Sequence, residues 1–383
     1  MTVYLDHNAT TPLRPEVLDA MLPFLREHYG NPNSVHSLGQ RARKAVEQGR
    51  AQVAAFLGAR DEQEIVFTSG GSESDVLAIA GAAWQVFDET QGSRRRIISS
   101  PIEHDAVRLL LQDLRKRGFD VQLCAVAADG IVDVPSVAAL LGDDAAVATI
   151  MHSNNEVGTI QPVAEIAARA KACGALIHTD AVQSAGKVPV DVVALGVDLL
   201  SISGHKLNAP KGVGALYVRK GVRLAPLITG HQEKNRRGGT ENVAAIVGLG
   251  AACELARREL GKAHGLLALR GKLERGVLRI SGSRLNGHPV DRLPNTAHFS
   301  FEGLDGHQLV VALDLEGVCV SSGPACASGA ALASPVLTAM GCDERLAAGS
   351  IRVSMGWATS EADVDRLLSA LPKAVNKLRR AHA

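Results

Sequence analysis

Short strand-like runs alternate with helix-like runs along most of the chain, and this alternation constrains the fold more than any other feature. The helix-like runs at 72–84 and 163–173 each lie between two strand-like runs. The strand-like runs cover residues 64–68, 96–99, 121–126, 146–151, 176–179, 199–203 and 214–218. Such alternation is typical of a mainly parallel sheet whose faces are covered by helices, so the sequence predicts an α/β fold.

The length of the chain predicts two domains. With 383 residues it exceeds the usual size of a single small domain. A long helix-like run at 244–260 would join the two parts, and three further strand-like runs follow it, at 296–301, 317–321 and 350–354. We therefore predict a large domain at residues 15–260 and a smaller α/β domain formed by residues 1–14 and 261–383.

Charge and cysteine usage exclude several classes of protein. The chain has 41 Lys and Arg against 40 Asp and Glu, which argues against a nucleic-acid-binding protein and against a protein that binds membranes through basic patches. It shows neither an N-terminal signal pattern nor an apolar run long enough to cross a bilayer, so we expect a cytosolic protein. The six cysteines fit no zinc-binding spacing, so we expect no metal site and mostly buried thiols.

The segment TSGGSES at residues 68–74 has the pattern of a strand, a tight turn and a helix start, with Ser72 as the expected N-cap. The free N–H groups and the dipole of a helix N-terminus suit a phosphate group. The alternative interpretation is an ordinary capped helix. The segment is neither a Walker loop nor a GxGxxG motif.

Lys206 directly follows a predicted buried strand, in the segment SGHK at residues 203–206. A lysine at the end of a buried strand loses solvation, which lowers its pKa and makes neutral amine available for a Schiff base. The alternative is a surface lysine at a strand end. Asp180 also follows a strand, where it could pair with a protonated pyridine nitrogen or simply cap a helix.

Two further polar residues follow strands, and one cysteine differs from the others. His104 could stack on a planar ring, shuttle protons or cap a helix, and Asn155 could bind a ligand or form a turn. Cys326 lies among small residues in the segment 321–330, so we expect a mobile segment with an accessible thiol. A lowered pKa would make that thiol reactive; an incidental surface thiol is the alternative.

The order and wording of these segments resemble a known family. The segments that carry the resemblance are YLDHNATT at 4–11, GNPNS at 30–34, TSGGSES at 68–74, HTDAVQ at 178–183, SGHK at 203–206, RRGGTEN at 236–242 and IRVS at 351–354. Together they resemble the cysteine desulfurases, in the class V aminotransferase group of fold-type I pyridoxal-phosphate enzymes. The resemblance extends over essentially the whole chain. Residues 209–242 are most similar to the NifS-like, nitrogen-fixation branch.

The resemblance implies that pyridoxal 5'-phosphate is the cofactor and that Lys206 holds it covalently. Asp180 would pair with its pyridine nitrogen, Gln183 would contact its ring hydroxyl, and His104 would stack over its ring. The residues expected to bind the phosphate are Gly71, Ser72, Ser203 and His205, with Thr240 reaching in from the other subunit of a homodimer. Asn155 would contact the cofactor and, with Arg352, would hold the substrate carboxylate.

The implied reaction converts L-cysteine to L-alanine and places the sulfur as a persulfide on Cys326. Lys206, His104 and Cys326 would be catalytic. An iron–sulfur scaffold protein would accept the sulfur, with nitrogenase maturation as one possible destination, and Cys326 could contact a cluster during transfer. The alternatives are a selenocysteine lyase or cysteine sulfinate desulfinase, a plain aminotransferase and a non-enzymatic scaffold. The sequence departs from the family at Pro324, where serine is usual, and at residues 331–334.

Overall fold

The computed structural model describes residues 2–322 and 334–382. Its strands, numbered in chain order, are β1 (Val3–Tyr4), β2 (Ile65–Thr68), β3 (Arg96–Ser99), β4 (Asp120–Leu123), β5 (Ala145–Thr149), β6 (Leu176–Asp180), β7 (Leu199–Ser203), β8 (Gly214–Val218), β9 (Ser283–Asn286), β10 (Thr296–Phe301), β11 (Val318–Cys319) and β12 (Ser350–Ser354).

The α-helices are α1 (Pro15–Arg26), α2 (Ser37–Leu57), α3 (Gly71–Glu89), α4 (Asp105–Lys116), α5 (Val134–Leu140), α6 (Val163–Ala172), α7 (Val192–Leu195), α8 (Val243–Glu259), α9 (Ala263–Val277), α10 (Gly306–Leu315), α11 (Pro335–Ala339), α12 (Glu344–Ala348) and α13 (Glu361–His382). Within residues 2–322 and 334–382, no helix combines the length and the hydropathy that a membrane span requires.

A mainly parallel sheet forms the larger part of the fold. In the described residues it has seven strands in the order β2-β8-β7-β6-β5-β3-β4. All neighbouring strands are parallel except β8, which runs antiparallel to both β2 and β7. The predicted α/β class is therefore confirmed. The predicted strand at 121–126 is shorter, because the chain leaves the sheet after Leu123.

Both faces of this sheet are covered, which explains why its central strands are almost entirely buried. Every residue of β5 and β7 is buried, as expected for parallel strands between two helical layers. One apolar cluster includes residues of α2, α6 and α8, and another includes residues of α3 and α4. Gly49 of α2 and Gly250 of α8 let these two helices approach closely. A Cβ at Gly250 would lie only 2.8 Å from Gly49 Cα, so a side chain there would force the helices apart.

A second, antiparallel sheet has the order β12-β10-β9 in the described residues. Its core is a separate apolar cluster that joins Val3 and Leu5 to residues of α9, α10 and α13. We propose on this basis the domain division at residues 15–260 against 1–14 and 261–383. The N-terminal segment connects the two parts, since Leu5 belongs to this core while the Thr11 N–H donates to the His205 carbonyl at 3.0 Å.

Candidate active site

The carboxyl ends of the parallel strands open onto a cavity of about 730 Å³. Ligands of open α/β sheets bind at this edge, because the loops that follow the strands form a crevice there. The cavity is lined by ten of the residues that the sequence predicts for the site: Gly71, Ser72, His104, Asn155, Asp180, Gln183, Ser203, His205, Lys206 and Arg352. The structure thus brings together residues that are up to 281 positions apart in the sequence.

The start of α3 forms one end of this cavity. The helix begins at Gly71 with Gly70 as its N-cap, so the predicted cap at Ser72 is wrong by two residues. A Cβ at Gly71 would lie 2.8 Å from Val182 Cγ2, so glycine keeps this end of the cavity open. The first N–H groups of a 19-residue helix, together with nearby Ser203, make an anion site of the size of a phosphate group.

Asp180 is the last residue of β6 and is buried at the wall of the cavity. Its Oδ1 accepts a hydrogen bond from the Val182 N–H at 2.8 Å, so it caps the following turn as well as lining the cavity. Burial raises the pKa of the Asp180 carboxyl, while the charges of His104 and Lys206 oppose that rise. A cationic ring nitrogen placed against this carboxyl would favour its ionised form in the same way.

Lys206 ends a short 3-10 turn directly after β7, and its amine points to the N-terminal segment. Lys206 Nζ donates to the carbonyl oxygens of Asn8 and Ala9, the latter at 2.7 Å. Burial lowers the pKa of this amine to about 8, helped by the charge of Arg352. A substantial fraction of Lys206 is therefore neutral near pH 8 and able to react with a carbonyl carbon.

His104 takes one of the roles that the sequence left open, that of a helix cap, and it also lines the cavity. It is the N-cap of α4, where its Nδ1 accepts a hydrogen bond from the Ala106 N–H at 3.1 Å. An accepting Nδ1 places the proton of the neutral ring on Nε2. The same ring lines the cavity, so the helix cap fixes its orientation at the cavity wall.

Arg352 is a buried cation on β12 that reaches the opposite wall of the cavity. Its Nη2 donates to Asp6 Oδ1 at 2.8 Å, and its Nη1 donates to the Asn155 carbonyl at 3.0 Å. Its Nε is buried and has no hydrogen-bond partner within the described residues. The guanidinium is thus held in place on one side and keeps donors for a ligand carboxylate on the other.

The N-terminal segment supplies contacts to the site that the sequence did not assign. The Asn8 carbonyl accepts from both Lys206 Nζ and Gln183 Nε2, the latter at 3.0 Å. Asp6, which is 346 positions away in the sequence, pairs with Arg352 and balances its charge. Asp6 and Asn8 both belong to the YLDHNATT segment, which was singled out from the sequence. Nothing in that segment alone shows which residues it contacts in the folded protein.

Glu103 is a second residue that sequence reasoning missed. Its Oε1 accepts from Ser100 Oγ at 2.5 Å and from the Met151 N–H at 3.0 Å, which ties the end of β3 to the end of β5 beside His104. Its Oε2 is buried without a hydrogen-bond partner within the described residues. Burial raises the pKa of Glu103 to about 8, and the charge of Asp180 adds to that rise. Glu103 is therefore mostly a neutral acid at pH 7.

The variant Glu103→Gln should be more stable than the unmodified protein at pH 8, and this advantage should be much smaller at pH 5. An unfolded glutamate ionises near pH 4.5, while folded Glu103 keeps its proton to about pH 8. Stability is therefore lost progressively as pH rises through this window, by on the order of a few kcal/mol, and a neutral glutamine avoids the loss. The measurement is the difference in melting temperature between Glu103→Gln and the unmodified protein at the two pH values.

The exposed Glu62 provides the control for this experiment, because Glu62→Gln removes a carboxyl of the same kind from the surface. Its melting-temperature difference should stay nearly constant between pH 5 and pH 8. If Glu103→Gln behaves like Glu62→Gln, then Glu103 is ionised in the folded protein and the account of this carboxyl is wrong.

One predicted site residue of the described part of the chain, Thr240, does not line this cavity. Thr240 is exposed and lines a smaller cavity with Ser69 and Arg237. Its predicted role requires a second subunit and stays a prediction. Cys326 lies outside the described residues, and so its place relative to Lys206 is also a prediction.

The mainly parallel sheet, with a half-buried lysine and a buried aspartate at adjacent strand ends, has the architecture of the fold-type I class of α/β proteins. The chain belongs to the class V aminotransferase family, because the model described as "Aminotransferase class-V" matches residues 3–367.

Full-length relatives refine this assignment. A "Cysteine desulfurase" from Gluconacetobacter diazotrophicus is 47% identical over 381 residues, which cover 98% of this chain and 94% of the relative. A "Cysteine desulfurase IscS" from Dictyoglomus turgidum is 47% identical over 380 residues, which cover 98% of this chain and 95% of the relative. Among solved structures, a NifS-like protein has a TM-score of 0.92 at 39% identity, covering 99% of this chain and 100% of its own. The resemblance found in the sequence is thus confirmed.

Proposed function

We propose that this protein is a pyridoxal-phosphate-dependent cysteine desulfurase that converts L-cysteine to L-alanine and carries the sulfur on Cys326. The observation that carries the proposal is the amine of Lys206, which lies in one cavity with Asp180 and the start of α3. The names of relatives that are 47% identical over 98% of the chain favour desulfuration over amino transfer.

The residues around the cavity fit pyridoxal phosphate. The phosphate-binding set is Gly71, Ser72, Ser203 and His205, completed by Thr240 of a second subunit. Burial lowers the pKa of His205 to about 4, so its ring is neutral at pH 7 and one of its nitrogens can donate. Asp180 pairs with the ring nitrogen, Gln183 contacts the ring hydroxyl, and His104 stacks over the ring. When bound, the cofactor supplies an electron sink that stabilises negative charge at the substrate Cα.

Lys206 has two tasks in this proposal. Its neutral amine would hold the cofactor, and the same Nζ, when not bound to it, would take the proton from the substrate Cα. A pKa of about 8 suits both tasks, because the amine is neutral often enough to react and basic enough to take a proton. The carbonyls of Asn8 and Ala9 hold Nζ in position and stabilise it once it is protonated.

Arg352 and Asn155 bind the substrate carboxylate. Asp6 and the Asn155 carbonyl occupy two of the Arg352 nitrogens, which orients the remaining donors toward the cavity. Because the guanidinium is already held in this orientation, little side-chain entropy is lost when the carboxylate binds.

The variant Arg352→Ala should raise the KM for L-cysteine by about tenfold to a hundredfold, because it loses a charge-assisted hydrogen bond worth about 1.5–3 kcal/mol. The cofactor should stay bound, which its visible absorbance reports. Arg352→Lys keeps the charge but not the planar fork, so its KM should lie between those of Arg352→Ala and the unmodified enzyme. An unchanged KM in Arg352→Ala would place the carboxylate elsewhere.

Cys326 accepts the sulfur. Its thiolate attacks the sulfur of the substrate, an S–S bond forms, and the carbon–sulfur bond of the substrate breaks. The electron pair of the broken bond stays with the substrate carbon, which takes up a proton on the way to alanine. The persulfide on Cys326 then passes to an acceptor, which we propose is an iron–sulfur scaffold protein that could serve nitrogenase maturation.

We further propose a homodimer, because Thr240 does not line the active-site cavity of its own chain and its proposed contact with the phosphate would then be made in another subunit. The end of α1 and the segment between α1 and α2 expose Leu25, Tyr29 and Val35, which are 60%, 76% and 90% accessible. Exposed apolar side chains in one region are typical of a surface that a partner covers. Light scattering of the holoenzyme should give the mass of a dimer. An active, cofactor-loaded monomer would contradict the proposal.

Subunit mixing provides a sharper test of the role of Thr240. Thr240→Asp should weaken cofactor binding by repelling the phosphate, and Lys206→Ala should be inactive. Mixed dimers of the two variants contain one site with both Lys206 and Thr240 intact, so activity should reappear on mixing. If mixing restores nothing although hybrids form, Thr240 does not act across the interface.

The reaction itself is tested by incubating the holoenzyme with L-cysteine and measuring alanine and sulfide, with and without a thiol reductant. We expect both products, with sulfide release accelerated by the reductant that cleaves the persulfide. Alanine from selenocysteine or cysteine sulfinate but not from cysteine would contradict the proposal. So would amino transfer to a keto acid without loss of sulfur.

A further inference from the structure

A second cavity, of about 680 Å³, adjoins the active-site cavity, and Lys206 lines both. It is nearly as large as the first cavity and has no part in the mechanism above. Its walls come from α8, the segment 265–269 of α9, the residues around Lys187 and the segment 355–359. The cavity therefore lies where the parallel-sheet part of the fold meets the antiparallel-sheet part.

The polar centre of this cavity is Lys187. Its Nζ donates to the Gln183 carbonyl at 2.9 Å and to Gln183 Oε1 at 3.1 Å, both of which are neutral acceptors. No ion pair to Lys187 occurs among residues 2–322 and 334–382. Lys187 is half-buried. An ammonium group has three donors, and a cation with reduced access to water is better stabilised by an anion than by neutral acceptors alone.

The other charges around the cavity do not supply that partner. Glu259 pairs with Arg14 at 2.6 Å, and Arg14 also pairs with Glu16 at 2.9 Å. Lys206, the other lysine on the wall, brings no negative charge. The charges facing the cavity therefore favour an anion near Lys187.

Much of the remaining wall is apolar. Leu255, Leu269 and Met355 line it, and the half-exposed ring of Trp357 closes one side, with the Arg14 guanidinium 4.5 Å above the ring. A cavity that places Lys187 beside these apolar side chains fits a molecule that has a single negative group and a short hydrocarbon body.

We propose that this cavity binds a small organic carboxylate, with its carboxylate paired to Lys187 and its hydrocarbon chain against Leu255, Met355 and Trp357. Because Lys187 also holds the side chain of Gln183, which lines the active-site cavity, an occupant would act on the active site through that residue. Binding itself does not depend on turnover.

Fluorescence of Trp357 provides a direct test, using sodium butyrate as the probe and the holoenzyme as the sample. The chain has two tryptophans, and Trp84 packs against Phe87 and Phe119 in a separate aromatic cluster. In a Trp84→Phe background the signal comes from Trp357 alone. Butyrate should change it saturably, while sodium chloride at equal ionic strength and butylamine should not.

Two variants locate the site. Lys187→Met in the same background should weaken butyrate binding about tenfold or more, since it removes a charge-assisted contact. Ala256→Leu fills part of the cavity without changing any charge and should also weaken binding. Binding that survives both substitutions would overturn the proposal, as would the absence of any saturable response to butyrate. Ala256→Leu keeps the test decisive if Lys187→Met fails to fold.

The pH dependence of binding is a second readout. Burial lowers the pKa of Lys187 to about 7, with the charges of Lys206 and Arg352 adding to the effect. Butyrate affinity should therefore fall on the order of tenfold between pH 6 and pH 8, as Lys187 loses its proton. His7, with a pKa lowered to about 4, stays neutral across this range, and the Arg14–Glu259 pair stays charged. An affinity independent of pH would assign the carboxylate to Arg14 instead of Lys187.

Discussion

Replacing Lys206 with alanine is expected to abolish the conversion of L-cysteine to alanine. A positioned general base usually contributes about 10²–10⁴-fold to the rate, and the rate should fall by no less than this. The variant loses both the anchor of the cofactor and the base that removes the Cα proton. It should also lose the visible absorbance that borohydride bleaches in the unmodified enzyme. The measurements are alanine formation and the absorbance spectrum after reconstitution with pyridoxal phosphate.

Lys211 provides the matched control, because it lies five positions later and is exposed. Lys211→Ala should keep the absorbance and nearly the full rate. If Lys206→Ala forms alanine at a normal rate, Lys206 is not the catalytic lysine. Lys187 would then be the next candidate, since it is the other cavity-lining lysine with a lowered pKa.

Replacing Cys326 with alanine should nearly eliminate desulfuration while leaving the cofactor bound. The variant should still change its absorbance when L-cysteine is added, because substrate binding depends on Arg352 and Lys206. It should form no protein-bound persulfide. This combination separates loss of the sulfur acceptor from loss of the cofactor site.

Four of the other five cysteines are poor substitutes for Cys326, which is one reason why the expected effect is large. Burial raises the pKa of the Cys124 thiol to about 12, and it also raises the pKa values of Cys253, Cys319 and Cys342. A raised pKa leaves little thiolate, which is the nucleophilic form. Cys319 is the best control, because Cys319→Ala changes a partly exposed thiol close to the same segment and should retain desulfuration.

The sequence predicted the parallel sheet and several of the cavity-lining residues from local patterns, while Gln183, Ser203 and His205 were assigned through the resemblance. Apolar runs identify buried strands, and a parallel sheet places the ends of those strands at one edge, so Asp180 and Lys206 had to lie close together. Arg352 was assigned through the resemblance, since its position in the antiparallel sheet says nothing about a site in the other part of the fold.

Other features depend on contacts that no local pattern shows. The pairing of Asp6 with Arg352 joins the two ends of the chain, and the tie from Glu103 to Met151 depends on the neighbouring order of β3 and β5. The raised pKa of Glu103 and the lowered pKa of Lys187 follow from burial after folding, because both residue types are ordinarily exposed. The expected contribution of Thr240 requires a second chain.

The most direct test of the central claim is mass mapping of the holoenzyme after exposure to L-cysteine without a reductant. Peptides from the unmodified protein should carry one added sulfur on Cys326, with about one alanine formed for each persulfide. Treatment with a thiol reductant should remove the sulfur as sulfide. Added sulfur on Cys319 or Cys342, or alanine formation with no persulfide anywhere on the chain, would contradict the account.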